Sequence, residues 1–309
     1  MYRTISLGLM EPWLFDKRIS AGFNLFHQYT NYSNWKLART GGNVNFGRRF
    51  RWPDDYFRGN WSWRTQHNDI KEATASYYRP GKYWENNLTQ VISRTNWNHP
   101  FSPSVGSSFS LTTSFSMGSI GLGSTDFLKN ELKYCFVSPL WSQKGKDKLI
   151  FYVESLLGYI TGLKSDTAMS PVELYHMGGN GLGMYSIIPL RGYDDDVFGR
   201  FYDPANGSFH TGGKMAAKFT SELRFSIALD PMPIYVYAFA EAGNLWRDIR
   251  YVNPGDLRRA AGIGVRLAIP QIGPLGFSYG YGFDNPSPIT SNPNLKPSGW
   301  KFIFHLGLM

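Results

Sequence analysis

Few residues in this 309-residue chain are spaced for chemistry. The one cysteine, Cys135, has no partner for an internal disulfide. The six histidines lie far apart, with neither a His-x-x-x-His nor a Cys-x-x-Cys spacing, so a structural zinc site is excluded and no metal is expected. Asp194, Asp195 and Asp196 could attract calcium, but the run lacks the spaced oxygen ligands of a calcium loop and reads as a solvated acidic cluster. Gly179-Asn180-Gly181-Leu182-Gly183 looks like a fragment of a phosphate-cradling loop. Without a following helix and a lysine it reads as turn chemistry. No serine, histidine and acid fall into a hydrolase motif. The chain is therefore not read as an enzyme, and neither a catalytic residue nor a cofactor is expected.

Composition narrows the class further. The net charge of +9 is scattered. Its one dense cluster, Arg48-Arg49-Phe50-Arg51, runs into Trp52-Pro53-Asp54-Asp55 and reads as a strand end entering a turn, so nucleic acid is not an expected partner. Aromatic residues make up 17% of the chain and glycines number 33, while charged residues reach only 18%, against about 25% in soluble globular proteins. The longest apolar run, Ile234 to Ala240, is far shorter than the roughly 20 residues a spanning helix needs. Met1 to Phe15 carries one early arginine but no apolar stretch and no small-residue cleavage site, so no signal peptide is expected in it.

What repeats is alternation, the period of a strand, because successive side chains point to opposite faces. Residues 214 to 227 show it most clearly: Lys214, Ala216, Lys218, Thr220, Glu222, Arg224 and Ser226 share one face, and Met215, Ala217, Phe219, Ser221, Leu223, Phe225 and Ile227 the other. Two-faced segments are expected near residues 2–12, 17–30, 38–50, 56–69, 86–98, 103–117, 126–140, 147–162, 213–229, 232–246, 256–270, 273–284 and 299–309, about thirteen in all. Short turns such as Asp16-Lys17, Asp230-Pro231 and Gln271-Ile272-Gly273-Pro274 join most of them. One connection, 163–212, is about fifty residues long, more than a compact domain leaves without structure of its own.

Long strands, alternating short and long connections, and aromatics at strand ends (Trp13, Phe15, Tyr56, Phe57, Trp97, Trp141, Trp246, Trp300) predict an all-β fold, an antiparallel transmembrane β-barrel. In hydrocarbon every backbone donor and acceptor needs a partner, so a sheet spans only if it closes on itself. A large soluble sandwich or propeller would alternate too, with its apolar rows inside. Strands of this length are long for that alternative.

The long connection contains Met177-Gly178-Gly179-Asn180 and then Leu190-Arg191-Gly192-Tyr193. Here the sequence resembles the membrane barrel of the BamA-type outer-membrane protein assembly factors, whose sixth extracellular loop carries an aliphatic-Arg-Gly-aromatic motif preceded by a Gly-Gly element. The resemblance extends to Glu11-Pro12-Trp13-Leu14-Phe15, to Phe239 through Trp246, to Leu257 through Arg266 and to Gly273 through Gly282. It covers essentially the whole chain. A loop folded into a polar lumen needs an anchor, and an arginine fork matches carboxylates. The resemblance implies acidic partners for Arg191 at Glu222 and Glu241. Gly192 would let the backbone turn without a Cβ clash, and Tyr193 would pack on the lumen wall. It also implies that Trp300, Phe302, Phe304 and Leu306 form the face of a last strand that acts as an assembly signal, although the chain stops at Met309 where relatives end on an aromatic.

The implied domain is a single outer-membrane β-barrel over 1–309, with about thirteen strands of an expected sixteen. On that reading the first three strands, a signal peptide and the periplasmic POTRA repeats are absent from this sequence. An open sheet would leave two unpaired edges, so the chain alone is not expected to insert as a working barrel. The implied function is non-enzymatic folding and insertion of β-barrel proteins into the outer membrane of a Gram-negative bacterium, through a lateral strand seam. Unfolded outer-membrane proteins would be the clients, accessory lipoproteins the partners, and the lipid bilayer with lipopolysaccharide the surroundings. The alternatives are a polypeptide-secreting translocator barrel of the same superfamily and a passive diffusion pore.

Overall fold

A computed structural model describes residues 2–32, 35–71, 81–100, 102–163, 173–181, 187–203, 208–228, 232–269, 273–286 and 297–306. Apart from short 3-10 turns, the regular structure among these residues is β. Eight long strands come first: β1 (Tyr2–Glu11), β2 (Ile19–Tyr32), β3 (Trp35–Arg49), β4 (Phe57–Lys71), β5 (Gly81–Thr95), β6 (Gly106–Ser116), β7 (Leu128–Gln143) and β8 (Lys146–Thr161). Four short ones follow in the long connection: β9 (His176–Met177), β10 (Ile187–Ile188), β11 (Arg200–Asp203) and β12 (Ser208–Thr211). Five more long strands complete the chain: β13 (Met215–Ala228), β14 (Ile234–Trp246), β15 (Arg258–Ile269), β16 (Gly273–Gly282) and β17 (Gly299–Leu306).

The long strands form one 13-stranded antiparallel sheet in the order β1 to β8 followed by β13 to β17. Their number is as the alternation predicts. Two differences stand out. β5 starts at Gly81 rather than near residue 86, because Gly81 to Trp84 pair with Ile70 to His67 of β4. The long connection carries two small sheets, β9 with β10 and β11 with β12, which satisfy part of its backbone locally. The expected turns at Asp230-Pro231 and Gln271-Ile272, and the end of the last segment at Gly307 to Met309, lie outside the described residues.

The chain divides into two compact units: Met1–Arg94 with Ser110–Glu131 and Tyr159–Leu174, and Thr95–Phe109 with Leu132–Gly158 and Tyr175–Met309. In the first unit, strands meet in uninterrupted register, Tyr2 opposite Thr30 through Glu11 opposite Ala21, and Ile19 opposite Arg48 through Tyr32 opposite Trp35. Small polar groups link neighbouring strands: Gln66 donates to Glu85 at 2.6 Å, Thr113 to Asn130 at 2.9 Å, and Thr89 meets Ser114 at 3.0 Å. Leu25, Val44, Phe46, Trp63 and Leu88 are exposed. β1 is exposed along its whole length.

The second unit shows the facing of the strands most directly. Along β13, Lys218, Glu222 and Arg224 are at most 5% exposed, whereas Phe219, Leu223 and Phe225 on the opposite face are 42–45% exposed. β17 repeats the arrangement, with Ile303 and His305 buried and Trp300, Phe302 and Phe304 exposed. A water-soluble protein buries the apolar row and wets the charges. Apolar rows on this scale are stable only against a medium that does not penalise them, which a bilayer is. Tyr56, Trp13, Phe15, Trp141 and Trp300 are exposed as strand-end aromatics. Trp246 is not among them: its side chain is buried.

Replacing Leu223 by Arg on the exposed face of β13 is expected to cost about 2–4 kcal/mol of folding stability in lipid vesicles. Urea titration of vesicle-folded protein measures it, and an unchanged midpoint would mean that this row does not meet hydrocarbon.

Candidate functional site

β13 and β14 form a hairpin in which Thr220 lies opposite Glu241 and Glu222 opposite Phe239. This register places Glu222 and Glu241 diagonally on one face, about 7–8 Å apart between the strands. Arg191 enters that gap from the long connection and is fully buried. Its Nη2 donates to Oε1 of Glu241 at 2.9 Å, its backbone N–H donates to Oε2 of the same carboxylate at 2.8 Å, and its Nη1 lies 2.8 Å from Oε1 of Glu222. The Nη1 contact is an ion pair without the alignment of a hydrogen bond, so the bonded partner is Glu241 and Glu222 supplies charge. Burial alone would favour a neutral guanidine. The carboxylates of Glu241 and Glu222 outweigh it and hold Arg191 charged, above the ordinary arginine range.

Each carboxylate has further partners. Glu241 also receives Lys218 Nζ at 3.1 Å and the Thr220 hydroxyl at 3.2 Å, and Glu222 receives Arg224 through Nε at 2.8 Å and Nη2 at 2.7 Å. Arg266 Nη2 stands 3.6 Å from Glu222 while its Nη1 donates to the Tyr235 hydroxyl at 3.0 Å. Arg191, Lys218, Arg224 and Arg266 are thus four cations against the two anions Glu222 and Glu241, a surplus of two positive charges (4 − 2).

Aromatic faces offset that surplus. The buried face of β14 presents Tyr235, Tyr237 and Phe239 as a ladder with ring centroids 6.2 Å apart. Arg191 lies 3.7 Å over Phe239, Arg266 4.9 Å over Tyr237, and Arg224 lies 5.5 Å from Tyr235 and 3.6 Å over Tyr152. A ring face carries negative charge density, and this attraction is strongest where water is excluded.

The neighbours of Arg191 complete the contact with the sheet. Gly192 has φ +86°, and a Cβ there would lie 2.7 Å from the backbone nitrogen of Gly282 in β16. Only glycine permits both the left-handed backbone and this approach. Tyr193 donates to the Arg259 carbonyl at 2.7 Å, accepts from the Asp284 N–H at 3.2 Å and packs edge-on to Phe198 at 4.9 Å. Burial pushes its phenol up to about 12. Burial would also raise the Asp284 carboxyl, but the Arg259 guanidinium bonded to it prevails and holds it below its ordinary value. Leu190 is fully buried and bridges Gly179, whose own left-handed backbone sits against the Asp195 carboxylate.

Asp194 and Asp195 are exposed and Asp196 is half-buried, as a solvated acidic cluster is, and each also has a partner: Lys301 binds Asp194 at 2.8 Å, the Asn180 N–H binds Asp195 at 2.9 Å, and His176 binds Asp196 at 2.7 Å. Gly179 to Gly181 form a turn, and Leu182-Gly183 fall outside the described residues. Leu190, Arg191, Gly192, Tyr193, Glu222 and Glu241 come together in one place. Trp300, Phe302 and Phe304 do not join them. They lie on the exposed face of β17, where Trp300 stacks on Tyr279 at 4.6 Å and Phe302 and Phe304 meet Phe277 at 5.8 and 5.3 Å. Leu306 of β17 lies opposite Leu275 of β16. Lys218 and Arg224 share the face of Glu222, so their inclusion was recoverable from parity. Arg266, the β14 ring ladder and the Tyr237–Ser278–His305 hydrogen-bond chain leave no local signal in the sequence, because each depends on the register of several strands.

A sheet of long two-faced strands with apolar residues exposed, ion pairs buried and a long loop anchored among those pairs is the pattern of an antiparallel transmembrane β-barrel. The Omp85 superfamily domain matches residues 1–307, and the chain belongs to that superfamily. Among solved structures it is similar to BamA from Haemophilus ducreyi lacking POTRA domains 1–3, with a TM-score of 0.74 and 18% identity over 97% of this chain and 61% of that one. It is also similar to CdiB from Escherichia coli, with a TM-score of 0.58 and 13% identity over 98% of this chain and 52% of that one. At these identities the likeness is one of fold. The chain spans less than two thirds of either protein. No curated protein matches it.

Arg191→Ala leaves two carboxylates buried beside a gap, and is expected to cost about 3–5 kcal/mol. Thermal unfolding followed by the heat-modifiable shift on electrophoresis measures it. Between pH about 10 and about 12 the unfolded chain releases the Tyr193 proton that the folded chain keeps, so stability falls as pH rises through that window. Tyr193→Phe is expected to remove this part of the alkaline loss, which melting curves at pH 9 to 12 would show.

Proposed function

We propose that this chain is the membrane barrel of a non-enzymatic assembly factor, which folds and inserts β-barrel proteins into the outer membrane of a Gram-negative bacterium. The observation that carries the reading is the buried lock of the long loop, Arg191 held by Glu241 and Glu222. It sits at the loop position that the resemblance to BamA-type barrels assigns it, in a chain whose fold is similar to the BamA barrel. Unfolded outer-membrane proteins are the proposed clients, accessory lipoproteins the partners, and lipid with lipopolysaccharide the surrounding phase. The row Trp300, Phe302, Phe304 and Leu306 is the proposed signal of the last strand.

Physically, such a barrel needs no nucleotide. A client strand pairs its backbone with an exposed sheet edge, and burial of the client's apolar rows in lipid supplies the driving force. The loop lock contributes by keeping the neighbouring strands in one arrangement while the edge exchanges partners. The likeness to CdiB favours a second reading, a barrel that passes a polypeptide through its interior. There the loop would have to leave the interior, whereas assembly at a seam lets it stay.

The test is replacement of Arg191 by Ala and, separately, of Glu241 by Gln in the protein that carries this barrel, in its own host. The expected outcome is a several-fold fall in several unrelated outer-membrane proteins with the variant itself still present. Normal levels of all of them, with loss of one secreted polypeptide, would favour the translocator instead.

A further inference from the structure

Four consecutive residues of the long connection touch five consecutive strands. Arg191 binds Glu222 of β13 and Glu241 of β14. Tyr193 binds the carbonyl of Arg259 in β15, and Gly192 presses on the backbone of β16 at Tyr281 and Gly282. Asp194 reaches β17, where both its carboxylate oxygens accept from Lys301 Nζ, at 2.8 and 3.0 Å. The five links differ in kind. Those to β13 through β16 are buried ion pairs, backbone contacts or a hydrogen bond to a carbonyl. The one to β17 is a charge pair open to solvent, with 67% of the Asp194 side chain and 32% of the Lys301 side chain accessible.

β17 is also the strand at the end of the pairing order. On its buried side it is held by a separate chain, in which the Tyr237 hydroxyl meets Ser278 at 2.9 Å and Ser278 meets His305 Nε2. The loop therefore grips four strands firmly and the fifth through one exposed pair. A solvated ion pair weakens as salt rises, whereas buried pairs are screened far less.

We infer that residues 191–194 act as one staple across β13 to β17, and that Asp194–Lys301 is its releasable end, positioning the last strand without supporting the rest of the sheet. Opening this pair frees β17 from the loop while Arg191 stays locked, so the loop and the last strand move independently. The inference goes beyond the assembly reading and does not need it, since it concerns only how this chain holds its own last strand.

Amide hydrogen exchange of the intact protein in detergent micelles tests it. Lys301→Ala and Asp194→Asn are expected to speed exchange across Gly299–Leu306 by roughly twofold to fivefold, while Met215–Ala228 and Ile234–Trp246 keep their rates. The double charge swap Asp194→Lys with Lys301→Asp is expected to restore protection. Raising salt from about 0.05 M to about 1 M should speed exchange of the same segment in the unsubstituted protein and leave Lys301→Ala unaffected. Unchanged exchange in both single variants would overturn the inference, and so would acceleration spread equally over β13 and β14, or failure of the swap to restore protection. Because the measurement uses no client, its failure leaves the assembly reading to its own test.

Discussion

A guanidinium with no access to water sits between two carboxylates at Arg191, and much of the second compact unit follows from what that requires. Taking such charges out of water is expensive, and mutual attraction repays it only where geometry is tight and further donors and acceptors are satisfied. Glu241 meets this by accepting from the Arg191 backbone, its side chain, Lys218 and Thr220. Glu222 meets it with Arg224 and with the more distant Arg266. Because that adds more cations than anions, the rings of β14 become part of the electrostatics as well as of the packing. The position of one loop residue thus constrains the composition of three strands.

The same constraint explains the local chemistry of the loop. The residue that follows Arg191 lies almost on the backbone of β16, and Gly192 is what permits that. Tyr193 then ends on a carbonyl of β15, leaving no unpaired phenol inside. Upstream, Tyr175 pairs with Gly213 through N–H to carbonyl bonds in both directions at 2.8 and 2.9 Å, closing the base of the loop on itself. Buried Met177, Ile188, Leu190, Tyr193 and Phe198 give it apolar packing of its own.

The parts legible in the sequence are those where a single strand carries the whole signal. β13 alternates charge with hydrocarbon, so its limits and faces could be read directly. β14 could be placed but not sided, because Ile234 to Ala240 is apolar on both faces and the period of two is invisible there; only the register shows that the rings turn toward the arginines. The two-residue strands β9 and β10 are too short to leave a period at all. Arg191, Glu222 and Glu241 came from a motif and a resemblance, while Arg266 and Lys301 meet their partners only through contacts 44 and 107 positions apart in the chain, which no local pattern encodes.

The rings of β14 face inward, and this leaves the other side of the strand thin. After Ile234, which begins the strand, that side carries only Val236, Ala238 and Ala240 over the next three outward positions, and all three are exposed. Acyl chains can therefore approach this strand's backbone more closely than they approach β13, where Phe219, Leu223 and Phe225 stand in the way. A cysteine-linked spin label or fluorophore at Ala238 would sit in annular lipid, one residue from Tyr237 and Phe239, and would report on bilayer depth beside the ion cluster without displacing any group that belongs to it.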